Sequence, residues 1–320
     1  MSEIKTENIW FKSSYQEQPV AAYLFSDPQA EPHAILQITH GMAEYLLRYR
    51  PFAEYMAQHG YIVCGHDDLG HGNTSGTTHE DGFFAPKNGR HYVLQDIRTM
   101  NETVRARYPD LPVVLFGHSM GSYFARWYAV TYPETIEGAV FCGTGGKNPA
   151  AGAAILMTDV IGLFRGPAYK SKFIDKLAFG SYLEKIPDAK TPFDWLSVNT
   201  DNVQRYIADP KCGFLFSVSG FHEMTKVVQE VNSARWVENF SKALPVLVMA
   251  GREDPVGSYG KGPEEVARRL REAGVQDVSL KLYDGMRHEV LNETGHEAVW
   301  QDVLVWCEHA VHAAQPAPQA

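Results

Sequence analysis

Cysteine is scarce: four in 320 residues (Cys64, Cys142, Cys212 and Cys307), far apart and with no Cys-x-x-Cys pair. That spacing argues against a zinc ribbon or a disulfide framework and for free thiols in a reducing cytoplasm. There is no basic excess either. The 29 Lys and Arg face 38 Asp and Glu, a net charge of −9, and a nucleic-acid partner needs a concentrated basic surface. Long apolar runs are missing as well: Ala150–Phe164 is interrupted by Asp159 and falls short of the roughly 20 residues that span a bilayer. The start, MSEIKTENIWFK, has charges and amides where a secretory signal would be apolar. No repeat or low-complexity tract appears apart from the closing AAQPAPQA, so residues 315–320 read as a flexible tail.

What is present is a regular alternation. Short apolar runs rich in β-branched residues recur at Ala34–Thr39, Tyr61–Cys64, Pro112–Phe116, Gly138–Cys142, Pro245–Met249 and Val278–Tyr283, each reading as a strand buried on both faces of a parallel sheet. Between them lie helical stripes: Val93, Ile97, Met100 and Val104, then Val299, Val303 and Trp306 near the end. Ile9–Ser14 and Val20–Ser26 read as an antiparallel hairpin on the sheet edge. Strands alternating with helices predict a mostly parallel, doubly wound α/β fold.

One stretch breaks the alternation. About a hundred residues separate Cys142 from Pro245, with helix-like pieces and no clear strand, too long for a structureless loop in a compact domain. The reading is an inserted helical cap over 144–243, on a core made of 1–143 and 244–314. From Gly145 to Phe240 there are 11 basic and 10 acidic residues, so the acidity belongs to the core. Within the insert, Ala150–Phe164 reads first as a helix buried against its own subdomain, and otherwise as the wall of an acyl cleft or a lipid-facing surface. Lys170, Lys172 and Lys176 read as a solvated face.

Gly117-His118-Ser119-Met120-Gly121 follows the strand ending at Phe116 and precedes a helical pattern. About 0.1 such Gly-x-Ser-x-Gly pentapeptides arise by chance at this composition, so the weight comes from its place between strand and helix, where it forms a nucleophile elbow. A serine hydroxyl needs a base, itself oriented by a carboxylate, here in the chain order Ser, Asp/Glu, His. Asp254, past the strand Pro245–Met249, and His288, past Val278–Tyr283, sit where open α/β sheets build their sites. His296 is the rival base; Glu253 and Asp284 are the rival acids. An oxyanion hole would come from the backbone N–H groups of Met120 and of Met42, after the strand Ala34–Thr39.

His40-Gly-Met-Ala-Glu-Tyr-Leu-Leu-Arg-Tyr49 and the block His66–Ser75, with the serine, aspartate and histidine blocks in order, resemble the monoacylglycerol lipases and bacterial lysophospholipase-like α/β hydrolases, which also enter the serine-aminopeptidase grouping. The likeness spans about residues 10–312. It implies the α/β-hydrolase fold, hydrolysis of a monoacylglycerol- or lysophospholipid-like ester through Ser119, Asp254 and His288, and a structural role for His66, Asp67 and His71. The insert, with Phe193–Ser197 and Asp209–Phe214, looks like the cap of the bacterial members.

The chemistry expected is acyl transfer to water without cofactor or metal; His66 and His71, five apart on a glycine-rich loop, lack the helical spacing of a zinc site. The partner expected is a small acyl ester or lipid, with transient lipid-surface contact through the cap. The same triad also suits an aminopeptidase, an amidase or an acyltransferase, and the fold also serves non-catalytic ligand-binding modules.

Overall fold

The computed structural model describes residues 3–78 and 81–314; the tail expected over 315–320 lies outside them. Eight strands form one sheet: β1 (Lys5–Lys12), β2 (Pro19–Ser26), β3 (Ala34–Thr39), β4 (Tyr61–His66), β5 (Val113–His118), β6 (Gly138–Cys142), β7 (Val246–Gly251) and β8 (Val278–Tyr283). Their spatial order is β1-β2-β4-β3-β5-β6-β7-β8. The β1–β2 and β2–β4 pairs are antiparallel and every later pair is parallel. The edge hairpin is where the sequence puts it, though its first strand starts earlier, at Lys5, because Lys5 pairs with Ser26 across the ladder.

Among the described residues eleven α-helices accompany the sheet: α1 (Arg50–Gln58), α2 (Gly72–Thr78), α3 (Gly89–Arg107), α4 (Met120–Thr131), α5 (Ala151–Arg165), α6 (Lys172–Phe179), α7 (Thr200–Ala208), α8 (Val218–Val231), α9 (Ala234–Asn239), α10 (Lys261–Glu272) and α11 (His296–Ala314). Alternate side chains of each central strand point to opposite faces. Val113 and Leu115 of β5 join α3, α4 and α10 on one side, while Val114 and Phe116 join α1 and α11 on the other. The stripe Val93, Ile97, Met100 and Val104 is wholly buried on α3, and Val299, Val303 and Trp306 anchor α11. Gln37 is the polar intruder in β3; it donates to the Ile97 carbonyl and accepts from Asn101, at 2.8 and 3.0 Å, so its amide is buried with partners.

Helices α5 to α9 all lie between β6 and β7. They divide by what they bury. Val227, Val231, Trp236 and Phe240, on and just after α8 and α9, belong to the main core beside Phe141 and Val248. Ile186, Trp195, Leu196 and Tyr206 form a small separate cluster. Helix α5 buries only Ala151 and Thr158, whereas Leu156, Val160, Leu163 and Phe164 are exposed, as are Phe173 and Leu177 of α6. The reading of Ala150–Phe164 as a buried helix is therefore corrected: its stripe at i, i+4, i+7 and i+8 faces outward, and the other face packs on α8.

Candidate active site

Ser119 joins β5 to α4 with φ 53° and ψ −118°, a backbone conformation that L-residues rarely adopt. It is held there because the Ser119 N–H donates to the Cys142 carbonyl at 2.9 Å. The flanking glycines answer a close approach of chain to chain. A Cβ at Gly117 would meet the Gly121 carbonyl, and one at Gly121 would meet the carbonyl oxygens of Thr39 and His40. Neither position can carry a side chain without moving β3 or the helix.

Two loops bring the candidate acid and base toward this corner, where the His288 ring lies 4.7 Å from that of His118, the residue before Ser119. The loop after β7 delivers Asp254 and the loop after β8 delivers His288, both fully or almost fully buried. His288 Nδ1 donates to Asp254 Oδ2 at 2.9 Å, while Asp254 Oδ1 accepts from the Val256 N–H at 2.8 Å. This pairing gives the Nε2 tautomeric position of His288 the role of acceptor. The rivals lie elsewhere. His296 starts α11 and bonds the Glu293 carbonyl, Asp284 is exposed on Arg252 at 2.6 Å, and Glu253 is exposed.

Met120 opens α4, so its N–H is one of those without an intrahelical acceptor. The second candidate donor, Met42, sits in a turn whose neighbours are tied down. The Gly41 N–H donates to Glu44 at 2.7 Å, the Gly41 carbonyl accepts from His40 Nδ1 at 2.7 Å, and the Ala43 N–H donates to His71 Nε2 at 3.3 Å. Ala43 has φ 54°, left-handed backbone that costs an alanine about 1–2 kcal/mol. Burial lowers the His71 pKa to about 3, so the ring is neutral and able to accept. Asp67 accepts from the Leu46 and Asn73 N–H groups at 2.9 and 2.8 Å, and His66 stands 3.2 Å from Asp68 inside the core. All three are buried, and Asp67 and His71 hold backbone N–H groups.

Behind the turn lies a buried charge cluster. Arg48 donates to Glu44 at 2.5 Å and to both oxygens of Glu289 at 2.7 and 2.8 Å. Glu44 also accepts from Tyr49 at 2.7 Å. His118 Nδ1 stands 3.2 Å from Glu44, and its Nε2 3.2 Å from the His288 carbonyl. Burial alone would raise Glu44 and lower His118, but their contact reverses both, leaving Glu44 well below the usual carboxylate range and His118 raised. Burial likewise pushes Glu289 up and the Arg48 charge brings it down. The two buried carboxylates are therefore compensated by the Arg48 charge and by the hydrogen bonds from Tyr49 and the Gly41 N–H, with His118 beside them. Glu44, Arg48 and Tyr49 belong to the His40–Tyr49 block, but Glu289 is 241 residues from Arg48 and His118 is 74 from Glu44, and nothing local in the sequence signals their meeting.

The segment between β6 and β7 covers the pair. Trp195 lies with its ring 5.2 Å from His288, backed by Phe179 and Tyr182 at 6.1 and 5.0 Å. Glu293 accepts from the Ser197 hydroxyl at 2.6 Å and from the Arg287 N–H at 2.7 Å, which ties the same segment to the loop carrying His288. Among the described residues no cluster of three or more His, Cys, Asp or Glu is arranged to hold a metal ion, and no helix is long and apolar enough to cross a membrane.

The sheet order and the serine corner define the fold as that of the α/β hydrolases. Residues 30–295 match the family model described as serine aminopeptidase, S33, and the chain belongs to that family. It is 27% identical over 282 residues to a monoacylglycerol lipase of Mycolicibacterium smegmatis, covering 87% of this chain and 89% of that one. To the human monoglyceride lipase it is 28% identical over 291 residues, covering 86% and 85%. Among solved structures, a thermostable carboxyl esterase from Bacillus coagulans in complex with glycerol superimposes with a TM-score of 0.90 at 28% identity, covering 97% of this chain and 99% of that one.

Proposed function

We propose that the chain hydrolyses carboxylic esters, of monoacylglycerol or lysophospholipid type, through an acyl-enzyme on Ser119. The observation that carries this is the buried 2.9 Å bond from His288 to Asp254 beside a serine held at positive φ. In this reading Ser119 Oγ attacks the ester carbonyl carbon while His288 Nε2 takes its proton. The Met42 and Met120 N–H groups bind the oxyanion, and the alcohol leaves with the proton from His288. Water, deprotonated by His288, then attacks the acyl-enzyme and releases the acid and the free serine. Asp254 holds the imidazole in the required tautomer. No cofactor enters these steps.

Residues 144–243 serve as the cap of a core built from 1–143 and 244–314. The names of the relatives favour esters; the name of the family favours a peptide amino terminus, and one panel separates the two. A fluorophosphonate probe should label Ser119, and labelled enzyme should lose turnover of monoacylglycerol, lysophosphatidylcholine and short acyl esters. Turnover of aminoacyl amides alone would replace the ester reading by the aminopeptidase one. A well-folded sample that neither labels nor turns over any of these would favour a binding module.

The lipid itself would meet the cap. The outward face of α5 and α6 carries Leu156, Val160, Leu163, Phe164, Phe173 and Leu177, and from Ala151 to Phe179 there are four basic and two acidic residues in a chain of net charge −9. An apolar face with a basic rim suits an anionic bilayer surface. Flotation with phosphatidylglycerol vesicles should carry the protein upward, and the double variant Leu163→Ser, Phe164→Ser should stay behind; equal flotation of both would remove the cap from this role. The four free thiols suit action in the reducing cytoplasm.

A further inference from the structure

The Ala43 carbonyl is held by two donors, and both come from the segment between β6 and β7. Tyr206 of α7 donates its hydroxyl at 2.9 Å, and the Gly213 N–H donates at 3.0 Å. Neighbouring contacts run the same way: Tyr45 donates to Asp209 at 2.7 Å, and Lys211 donates to Asn73. The Tyr206 ring is buried, packed on Phe193 at 5.1 Å and under the Arg48 guanidinium at 4.9 Å. Burial raises the phenol pKa far above its ordinary value, so the hydroxyl keeps its proton and remains a donor.

These contacts act on a particular point of the chain. Ala43 is the left-handed residue directly after Met42, and without an external hold an alanine there relaxes toward ordinary backbone. The turn's other anchors are all core residues: Glu44 on the Gly41 N–H, His40 on the Gly41 carbonyl and His71 on the Ala43 N–H. Among the described contacts of Gly41–Ala43, the bonds to the Ala43 carbonyl are the ones that come from the segment between β6 and β7. The Ala43 carbonyl lies two peptide units on from the Met42 N–H, so relaxation at Ala43 reaches that N–H through the Met42–Ala43 peptide, whose N–H has the longest of the turn's bonds, 3.3 Å to His71; an oxyanion donor is useful only when aimed beforehand at the place where charge develops.

We infer that Tyr206 is a positioning residue, one that holds Ala43 in its left-handed conformation and so aims the Met42 N–H at the oxyanion. This rests on the hydrolase reading above and extends it: residues 199–213 complete the chemistry of the core, in addition to covering it. The cap is then of two kinds, a half fastened to the oxyanion turn through Tyr206 and Gly213, and a half, α5 and α6, with an open apolar face.

The test is Tyr206→Phe, which keeps the ring against Phe193 and Arg48 and removes only the donor. With p-nitrophenyl butyrate, kcat should fall about tenfold, the scale set by a small misplacement of a group that acts in the transition state, while KM stays within about twofold. An aryl trifluoromethyl ketone, which adds to the serine and carries an oxyanion, should bind about tenfold more weakly, and the matching methyl ketone should bind as before. A purely structural tyrosine would lower the thermal midpoint and leave the ratio of the two ketone affinities unchanged, and that result overturns the inference. Unchanged kcat overturns it too. If the unaltered protein turns over no ester at all, the hydrolase reading fails and the inference with it; ester turnover in the unaltered protein with no change in the variant rejects the inference alone.

Discussion

Replacing Ser119 by alanine is expected to lower kcat for ester hydrolysis on the order of 10⁴- to 10⁶-fold, with the thermal midpoint left in place. The size follows from the division of labour at such a site. Without the hydroxyl there is no acyl-enzyme, and what survives is the acceleration that binding and the oxyanion donors give to a direct attack by water. The fold is indifferent because the serine side chain is half-buried and the strain of the corner resides in the backbone, which alanine shares. Stopped-flow and long-incubation assays on the same preparation, beside a melting curve, measure both halves. A variant that keeps more than about a tenth of the wild-type rate would remove Ser119 from the chemistry.

Arg48→Met is expected to cost about 3–5 kcal/mol of stability, because it leaves two buried carboxylates without their shared cation. Glu44 and Glu289 are both buried and each receives a direct bond from the guanidinium. Neither has water to turn to. Adding Glu289→Met should restore part of the loss, since the double variant removes a charge of each sign and leaves Glu44 with Tyr49, His118 and the Gly41 N–H. Urea unfolding of the wild type, the single and the double variant measures the cycle. A loss below about 1 kcal/mol for Arg48→Met, the level of an exposed ion pair, would show that the cluster is solvated in solution.

The strands were legible because each central one is buried on both faces, which writes itself as an unbroken apolar run such as AILQIT or PVVLF. Ser119 was legible for a local reason as well: its corner demands glycines on both sides, and the demand lies within five residues. Asp254 and His288 needed the sheet first, since only strand order makes the ends of β7 and β8 neighbours. The charge cluster was out of reach by the same logic carried further. Nothing near Glu289 announces that Arg48 lies under it, and an exposed glutamate would look the same in the sequence. The outward face of α5 was misread because an apolar stripe records that a helix has a greasy side, without recording whether anything covers it.

The path of the chain from β6 to β7 limits how the molecule could be simplified. The two strands are parallel neighbours, so the chain leaving Cys142 at one end of the sheet must travel back to the other end before Val246, a return that parallel strands make through a packed helix. Helices α8 and α9 make it, with Val227, Val231, Trp236 and Phe240 buried in the central core. Excision of the whole stretch from 144 to 243 would therefore remove a wall of the core along with everything else between the two strands. A shortened version has to keep the chain from about Val218 onward and close the gap ahead of it, and recombination between relatives would find its tolerant crossover points at the same place.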